Sequence, residues 1–269
     1  MTRRQKDGPS LQLYLSEPSR AVADLGLYLA ARPMLQHLPH GDGHPVLVLP
    51  GLLADDMSTR ILRTTLRHLG YRVHGWRLGR NIGPTAACVT GMRDRIDDLH
   101  ARYERPISLI GWSLGGIFAR DIARRTPDSV RQVITLGSPF RLERHSQTRA
   151  TRAFDRFAHL HVEHRELPLE SEGCPLPVPS TSIYSHLDGI VHWQTCLDLP
   201  GEHCENIAVM ASHLGLGHHP AALYAIADRL AQPEGTWTPF RPPLVLRPAF
   251  PRPDVPAGIS AAAAADSAA

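Results

Sequence analysis

The feature that most constrains the fold is a serine between glycines, where an apolar run meets a helix-like run. The serine is Ser113, in the sequence GWSLGG at 111–116, which follows the apolar run ISLI at 107–110. A sharp strand-to-helix turn pushes the serine hydroxyl out of the sheet, and the glycines let that turn close because they carry no Cβ. The pattern therefore predicts that Ser113 is a nucleophile at the carboxyl end of a strand.

A second motif lies upstream, where the apolar run VLVL at 46–49 ends in Pro50-Gly51. Acyl transfer needs backbone N–H donors aimed at the oxygen that becomes negative. We expect these donors to be the N–H of Leu114, which follows the nucleophile, and the N–H of Leu52, in the loop after the earlier strand. The alternative is that Pro50-Gly51 is an ordinary turn that ends a strand.

An acid and a histidine follow the serine in the chain order Ser, Asp, His that this arrangement requires. Asp188 follows the β-rich run TSIYS at 181–185, and His213 follows the run NIAVMAS at 206–212. Both are therefore expected at the carboxyl ends of strands, where open α/β sheets place their sites. Asp188 would orient the imidazole of His213, which would take the proton of Ser113 and return it to the leaving group.

Other residues compete for these two roles, because the chain contains 16 histidines. Asp198, the competing acid, precedes Pro-Gly in a segment typical of a turn. The competing bases are His186 and His192, which flank the acid, and His218 and His219, which follow two glycines. We favour Asp188 and His213 because each directly follows a strand-like run.

Together these motifs, with GSP at 137–139 and SHLDGIV at 185–191, resemble the α/β-hydrolase superfamily on its bacterial serine esterase and lipase side. The resemblance covers roughly residues 44–230. It implies a mainly parallel central sheet flanked by helices, and hydrolysis of acyl or lipid-like esters through an acyl-serine, without a metal or an organic cofactor. Many relatives carry His-Gly where this chain has Pro50-Gly51, a change that leaves backbone donation intact.

Two other functions fit the same motifs. One is an acyltransferase or thioesterase that uses the same three side chains, and the other is a non-catalytic binding protein with this fold. The partner expected for the favoured function is a small-molecule ester or acyl substrate. The sequence does not indicate the acyl-chain length or the oligomeric state.

The domain organisation follows from length and composition. The chain of 269 residues is 42% hydrophobic, which suits one α/β domain at 44–232 after a helical lead-in at 1–43. The Pro/Ala-rich tail at 233–269 is expected to be disordered, because it has little to bury. Residues 138–180 interrupt the strand–helix alternation, as a cap over the site or as a flanking helix with a Pro-rich connector. As a cap, this segment would offer four side chains to an acyl group: Phe140, Phe154, Phe157 and Leu160.

Charge and cysteine content limit which binding partners and which cellular compartment are expected. A net charge of +3 without a basic stripe argues against nucleic-acid binding. The basic start MTRRQK is followed by no apolar core of a signal peptide, and no run is long enough to span a membrane, so we expect a cytoplasmic protein. The four cysteines form no metal pattern. Cys196 and Cys204 bracket a loop that a disulfide could close, although cytoplasmic thiols normally stay reduced.

Overall fold

A computed structural model describes residues 8–142, 147–162, 175–254 and 256. A six-stranded sheet forms its centre. Its strands are parallel throughout and have the order β2-β1-β3-β4-β5-β6. Most strand residues are buried, as expected for a parallel sheet covered on both faces. The strands are β1 (Pro45–Leu49), β2 (Arg72–Gly75), β3 (Ile107–Trp112), β4 (Val130–Leu136), β5 (Ser180–Ser185) and β6 (Cys204–Val209).

The helices follow the predicted alternation with the strands. They are α1 (Leu11–Leu15), α2 (Glu17–Leu35), α3 (Arg60–His68), α4 (Ala86–Tyr103), α5 (Leu114–Arg125), α6 (Thr151–Asp155) and α7 (Pro220–Leu230). Helix α3 does not begin until Arg60. The preceding residues form turns instead, because the Asp56 carboxylate accepts the N–H groups of Trp76 and Arg77 at 3.0 and 3.1 Å and so holds the end of β2.

Two apolar layers cover the sheet, and successive residues of a strand belong to opposite layers. In β1, Val46 and Val48 pack with buried side chains of α3 and α7, whereas Leu47 and Leu49 pack with α4 and α5. This alternation is the two-residue period of a strand, and here both faces are apolar. Each fully buried aliphatic side chain contributes roughly 1.5–3 kcal/mol to the hydrophobic stabilisation of the sheet.

The strand order changes direction at β1, which pairs with β2 on one side and with β3 on the other. In open α/β sheets, a crevice for ligands forms outside the carboxyl ends of the strands at this point. Leu49, the last residue of β1, is in register with Gly111 near the end of β3. The loop after β1 and the serine after β3 are therefore neighbours.

The start of the tail departs from the disorder that its composition predicts. Residues 233–254 pack against the domain, with the rings of Phe240 and Phe250 4.9 Å apart and against the apolar layer of α7. The Phe240 N–H donates to Glu205 at 2.7 Å, and the hydroxyl of Tyr184 lies 2.8 Å from the Asp254 carboxylate. Two aromatic rings thus attach this proline-rich segment to the apolar layer of α7. Residues 255 and 257–269 lie outside the described residues.

The segment 138–180 is described at 138–142, 147–162 and 175–180. Phe140 is completely buried, and its ring lies 3.9 Å from the guanidinium carbon of Arg120. Phe140 therefore anchors the start of the segment to the core and is not available to an acyl group. The described part bridges to Val191 at Thr148, runs through α6 and then bridges to Thr85 at His161.

The cysteines do not form the disulfide that the loop at 196–204 would allow. Cys196 and Cys204 are both free thiols. Burial raises the pKa of Cys204 to about 12 and raises that of Cys196. The loop is instead held by Asn206, whose amide accepts the N–H of Asp198 at 2.7 Å and donates to its carbonyl at 2.8 Å. Cys174 lies outside the described residues.

Membrane-spanning helices were not predicted from the sequence. Among the helices of the described ranges, none combines the length and the apolar composition needed to cross a bilayer.

Candidate active site

Ser113 occupies the turn between β3 and α5, with φ 52° and ψ −120°. This backbone conformation costs of the order of 1–3 kcal/mol for a residue other than glycine, so the surrounding structure must impose it. The Ser113 N–H donates to the Leu136 carbonyl of β4 at 2.8 Å, and the Ser113 carbonyl accepts the Gly116 N–H at 2.9 Å. The strand–turn–helix arrangement predicted around this serine is therefore present.

Close backbone approach explains two glycines of the serine motif. A Cβ on Gly111 would overlap the backbone of Gly116 at the start of α5. A Cβ on Gly115 would lie 2.7 Å from the Pro50 carbonyl oxygen, in the loop after β1. Both contacts involve backbone atoms, which cannot rotate away as a side chain can. The glycines thus bring α5 against β3 and against the β1 loop.

Asp188 and His213 meet directly, each at the carboxyl end of its strand. His213 Nδ1 lies 2.6 Å from Asp188 Oδ2, and the two residues are 4% and 3% exposed. The other carboxylate oxygen accepts the N–H groups of Ile190 and Val191 at 2.8 and 2.7 Å, which fixes the plane of the carboxylate. With Nδ1–H donating to Asp188, Nε2 of the neutral imidazole is free to accept a proton.

The electrostatic surroundings of His213 favour its protonated form. Burial by itself lowers the pKa of an imidazole, because it removes water from the charged form. Here the charge of Asp188, the hydrogen bond to it and the charge of Glu17 outweigh burial, so the pKa of His213 is raised above its ordinary value of 6.5. The pair can therefore stabilise the imidazolium that forms when a serine proton is taken up.

The competing acid, Asp198, serves another purpose. Its carboxylate accepts two hydrogen bonds from Arg120, at 2.7 and 3.1 Å, and one from the Ser180 hydroxyl at 2.7 Å. Asp198 and Arg120 are both buried. This ion pair ties α5 to the start of β5, and none of the hydrogen bonds described for Asp198 joins it to a histidine.

The competing histidines also have other environments. His219 caps α7 by accepting the Ala221 N–H at 3.3 Å, and His218 lies 3.4 Å from the Ala21 carbonyl. His186 and His192 both pack against the ring of Trp193, at centroid distances of 4.5 and 6.1 Å. Of the histidines weighed from the sequence, the structure brings His213 to Asp188.

The β1 loop (residues 50–54) lies directly against the serine. A Cβ on Gly51 would be 3.2 Å from Ser113 Cβ and 3.9 Å from Ser113 Oγ. Within residues 8–142, 147–162, 175–254 and 256, the N–H groups of Leu52 and Leu114 donate to no acceptor. The first N–H groups of a helix have no acceptor within that helix, which explains the free N–H of Leu114. Both predicted oxyanion donors are thus available next to Ser113.

Sequence reasoning missed the residue that holds the β1 loop, which is the fully buried Asn81. Its side-chain amide donates to the Pro50 carbonyl at 2.8 Å, and its backbone carbonyl accepts the Leu53 N–H at 2.7 Å. Its own N–H donates to the Ala54 carbonyl at 2.8 Å. No motif marks Asn81, because its partners lie about thirty residues earlier in the chain.

A cavity of about 270 Å³ opens beside Ser113 and His213, which both line it. Its walls come from α1, the β1 loop, the segment around α6 and the loops after β5 and β6. Residues 149–153 thus form one wall, whereas Phe154, Phe157 and Leu160 are not part of the lining. The remaining lining residues are Tyr14, Gly51, Leu52, Leu53, Ala54, Ser58, Trp112, Arg149, Ala150, Ala153, Ile190 and Leu214.

A larger cavity, of about 700 Å³, lies between β6 and the packed part of the tail. None of the predicted site residues lines it. Its walls are mainly prolines and aromatic rings of residues 237–256, together with residues of β6. Size alone would favour this cavity, but the chemistry favours the smaller one, where a serine and a paired histidine meet.

Comparison with known proteins gives structural but not sequence relatives. No family model matches the chain, and no curated protein matches it. Among solved structures, lipase B of Aspergillus fumigatus is similar with a TM-score of 0.58 and 17% identity, over 72% of this chain and 55% of that one. A metagenome-derived lipolytic enzyme, LipS or LipT, is similar with a TM-score of 0.51 and 16% identity, over 71% and 93%.

The chain has the α/β-hydrolase fold. This confirms the fold class that the motifs indicated. The chain spans just over half the length of the fungal lipase. At these identities the similarity concerns the fold, so a function for this chain must be argued from its own site.

Proposed function

We propose that this α/β-hydrolase cleaves carboxylic esters, with Ser113 as nucleophile, His213 as general base and Asp188 as the residue that orients it. The observation that carries the proposal is the buried 2.6 Å pair of His213 with Asp188, beside a cavity that Ser113 and His213 both line. Two of its structural neighbours are named as lipolytic enzymes, which supports an ester substrate.

The proposed reaction uses the geometry in two steps. Ser113 Oγ attacks the ester carbonyl while His213 Nε2 takes its proton, and the N–H groups of Leu52 and Leu114 donate to the oxyanion. Collapse of the tetrahedral intermediate breaks the bond to the alcohol, which leaves with the proton from His213. Water then attacks the acyl-serine with His213 again as base, which releases the acid and restores Ser113.

The shape of the cavity favours short acyl groups. Small-molecule sites typically enclose about 300–1,000 Å³, and the cavity at Ser113 is just below that range. Its lining is mainly apolar, with Leu52, Leu53 and Ile190 among the walls, and one cationic side chain, Arg149, contributes to it. We therefore propose acyl chains of a few carbons rather than the long, lipid-like acyl groups that the family resemblance suggests.

A chain-length series of p-nitrophenyl esters, from acetate to palmitate, tests the proposal with Ser113→Ala as the matched control. We expect the highest kcat/KM on acetate or butyrate, and a loss of at least about 10³-fold in the Ser113→Ala variant. Preference for palmitate would contradict the proposed acyl length. Hydrolysis that persists in Ser113→Ala would contradict the role of the serine, and absence of turnover on every ester would leave acyl transfer, thioester cleavage or binding as the function.

A further inference from the structure

Helix α2 places two buried carboxylates against the loops that carry Asp188 and His213. Glu17 is at the first turn of α2 and Asp24 is two turns further along, and they are 1% and 6% exposed. Buried carboxylates are costly unless hydrogen bonds or cations compensate for the lost water. Their partners therefore show what the carboxylates do in this fold.

Glu17 bridges the two loops with its two oxygens. Oε2 accepts the Gly189 N–H at 3.0 Å, one residue after Asp188, and Oε1 accepts the Leu214 N–H at 2.9 Å, one residue after His213. A carboxylate that accepts backbone N–H groups forms charge-assisted hydrogen bonds, which are stronger than bonds between neutral groups. One side chain thus joins the loop of the acid to the loop of the base.

Asp24 holds the other side of the base. Its Oδ2 accepts the Ser212 N–H at 2.9 Å and the Ser212 hydroxyl at 2.6 Å. The residues before and after His213 are therefore both bound to carboxylates of α2. This leaves the backbone of His213 little freedom to move away from Asp188.

Two glycines in these loops fit the close approach of α2. A Cβ on Gly189 would lie 2.6 Å from Glu17 Oε2, and a Cβ on Gly215 would lie 2.7 Å from the Asp24 carboxylate carbon. A side chain at either position would displace a carboxylate of α2. The glycines are a second observation, independent of the hydrogen bonds, that the helix and the loops fit as a unit.

Arg20 fixes the Glu17 carboxylate from the helix side. Its guanidinium donates to Glu17 Oε2 at 2.6 Å and to the Leu13 carbonyl at 2.8 Å, and it also donates to the carbonyl of Leu187, next to Asp188. Arg20 on α2 therefore helps to hold the Glu17 carboxylate in the position from which it binds both loops. Charged groups from two elements face the His213 loop. The loop after β5 contributes Asp188, and helix α2 contributes Glu17, Arg20 and Asp24.

We propose that Glu17 is a positioning residue that sets the relative placement of Asp188 and His213, so that α2 is part of the active site. This inference rests on the proposed function in one respect, that His213 acts as the base for Ser113. Glu17 does not itself line the cavity, and its hydrogen bond to the lining residue Leu214 is to the backbone N–H. Its loss is therefore expected to lower kcat and to leave KM within about twofold, since binding energy used equally in ground and transition states is unchanged.

Two substitutions separate the hydrogen bonds of Glu17 from its charge. Glu17→Gln keeps the shape and removes the charge, and its amide accepts one N–H while presenting NH₂ to the other. Glu17→Asp keeps the charge but is one methylene too short to reach both loops. Glu205→Gln is the matched control, because Glu205 on β6 is a partly buried carboxylate that accepts the Phe240 N–H at 2.7 Å and an Arg229 N–H at 2.8 Å.

The measurements are kcat and KM against pH for the full-length wild type and the three variants. A misplacement of about 1 Å costs of the order of 10²-fold in rate, so we expect kcat to fall about 10- to 100-fold in both Glu17 variants. The acid limb of kcat/KM should move to lower pH in Glu17→Gln and stay near the wild-type position in Glu17→Asp. Glu205→Gln should lose stability and keep both the wild-type kcat and the wild-type acid limb.

A second readout does not depend on turnover. The Nδ1–H proton of His213, identified by its absence in His213→Ala, is followed by NMR against pH. It should titrate at lower pH in Glu17→Gln than in the wild type and in Glu205→Gln. If Glu17→Gln leaves this titration and the wild-type kcat unchanged, the inference is wrong. If Ser113-dependent turnover is absent while the titration moves as expected, the proposed function fails and the positioning of His213 by Glu17 stands.

Discussion

The contact between the serine motif and the β1 loop makes Gly115→Ala the sharpest test of the site. Its new Cβ would meet the Leu49 carbonyl oxygen first, and it would lie 2.7 Å from both the Pro50 carbonyl oxygen and the Leu49 carbonyl carbon. Ordinary carbon–oxygen contacts in proteins begin near 3.3 Å, so the loop has to retreat by at least about 0.6 Å. Overpacking of this kind costs typically about 1–3 kcal/mol, which corresponds to a Tm lower by about 2–12 °C for a chain of this size.

The same displacement acts on catalysis, because the β1 loop carries the proposed Leu52 donor. Removing one oxyanion donor costs of the order of 10²–10³ in kcat, so we expect Gly115→Ala to lose at least about 10²-fold in ester hydrolysis. Activity is measured well below Tm, with a serine-directed phosphonate counting the folded sites. This separates a slower site from a smaller folded fraction.

Gly26→Ala is the matched control for this substitution. Gly26 is exposed inside α2, and a Cβ there would meet no atom within 4 Å. Alanine inside a helix is more favourable than glycine by roughly 0.5–1 kcal/mol, so this variant should be slightly more stable and fully active. A Gly115→Ala variant as stable and as active as the wild type would refute the close packing of α5 against the β1 loop.

Three further outcomes test other parts of the site. Because the base must be neutral and the pKa of His213 is raised, kcat/KM should fall with decreasing pH at a midpoint above 6.5; a midpoint below 6.5 in a pH–rate profile would contradict this. Asp188→Asn should lower kcat by about 10⁴-fold. Asp198→Asn should keep kcat and lower the free energy of unfolding by about 3–5 kcal/mol, because it leaves Arg120 buried without its ion pair. Steady-state kinetics and denaturation of both variants would show whether Asp198 rather than Asp188 is the catalytic acid. Asn81→Ala should lose about 1–3 kcal/mol of stability and reduce kcat more than it raises KM, and an unchanged kcat would show that the β1 loop does not need this support.

Local pattern predicted much of the fold. The strands and helices alternate as the sequence indicated, and the turn at Ser113 lies where the glycines indicated. These features depend on neighbours within a few residues, through helical or strand periodicity and the steric freedom of glycine. The chain order of Ser113, Asp188 and His213 was also readable, and their catalytic roles stay predictions for the assays above.

The sequence by itself therefore determined the strand–helix alternation, the α/β class and the placement of the serine. Only the tertiary structure decided that Asp188 rather than Asp198 meets His213, because that choice depends on which buried side chain each carboxylate reaches. The same holds for Glu17, which binds N–H groups 172 and 197 residues away. The path of the whole chain in space decides such partners, because a hydrogen bond requires proximity in three dimensions. Residues so far apart in the chain produce no periodic pattern in the sequence that would reveal the contact.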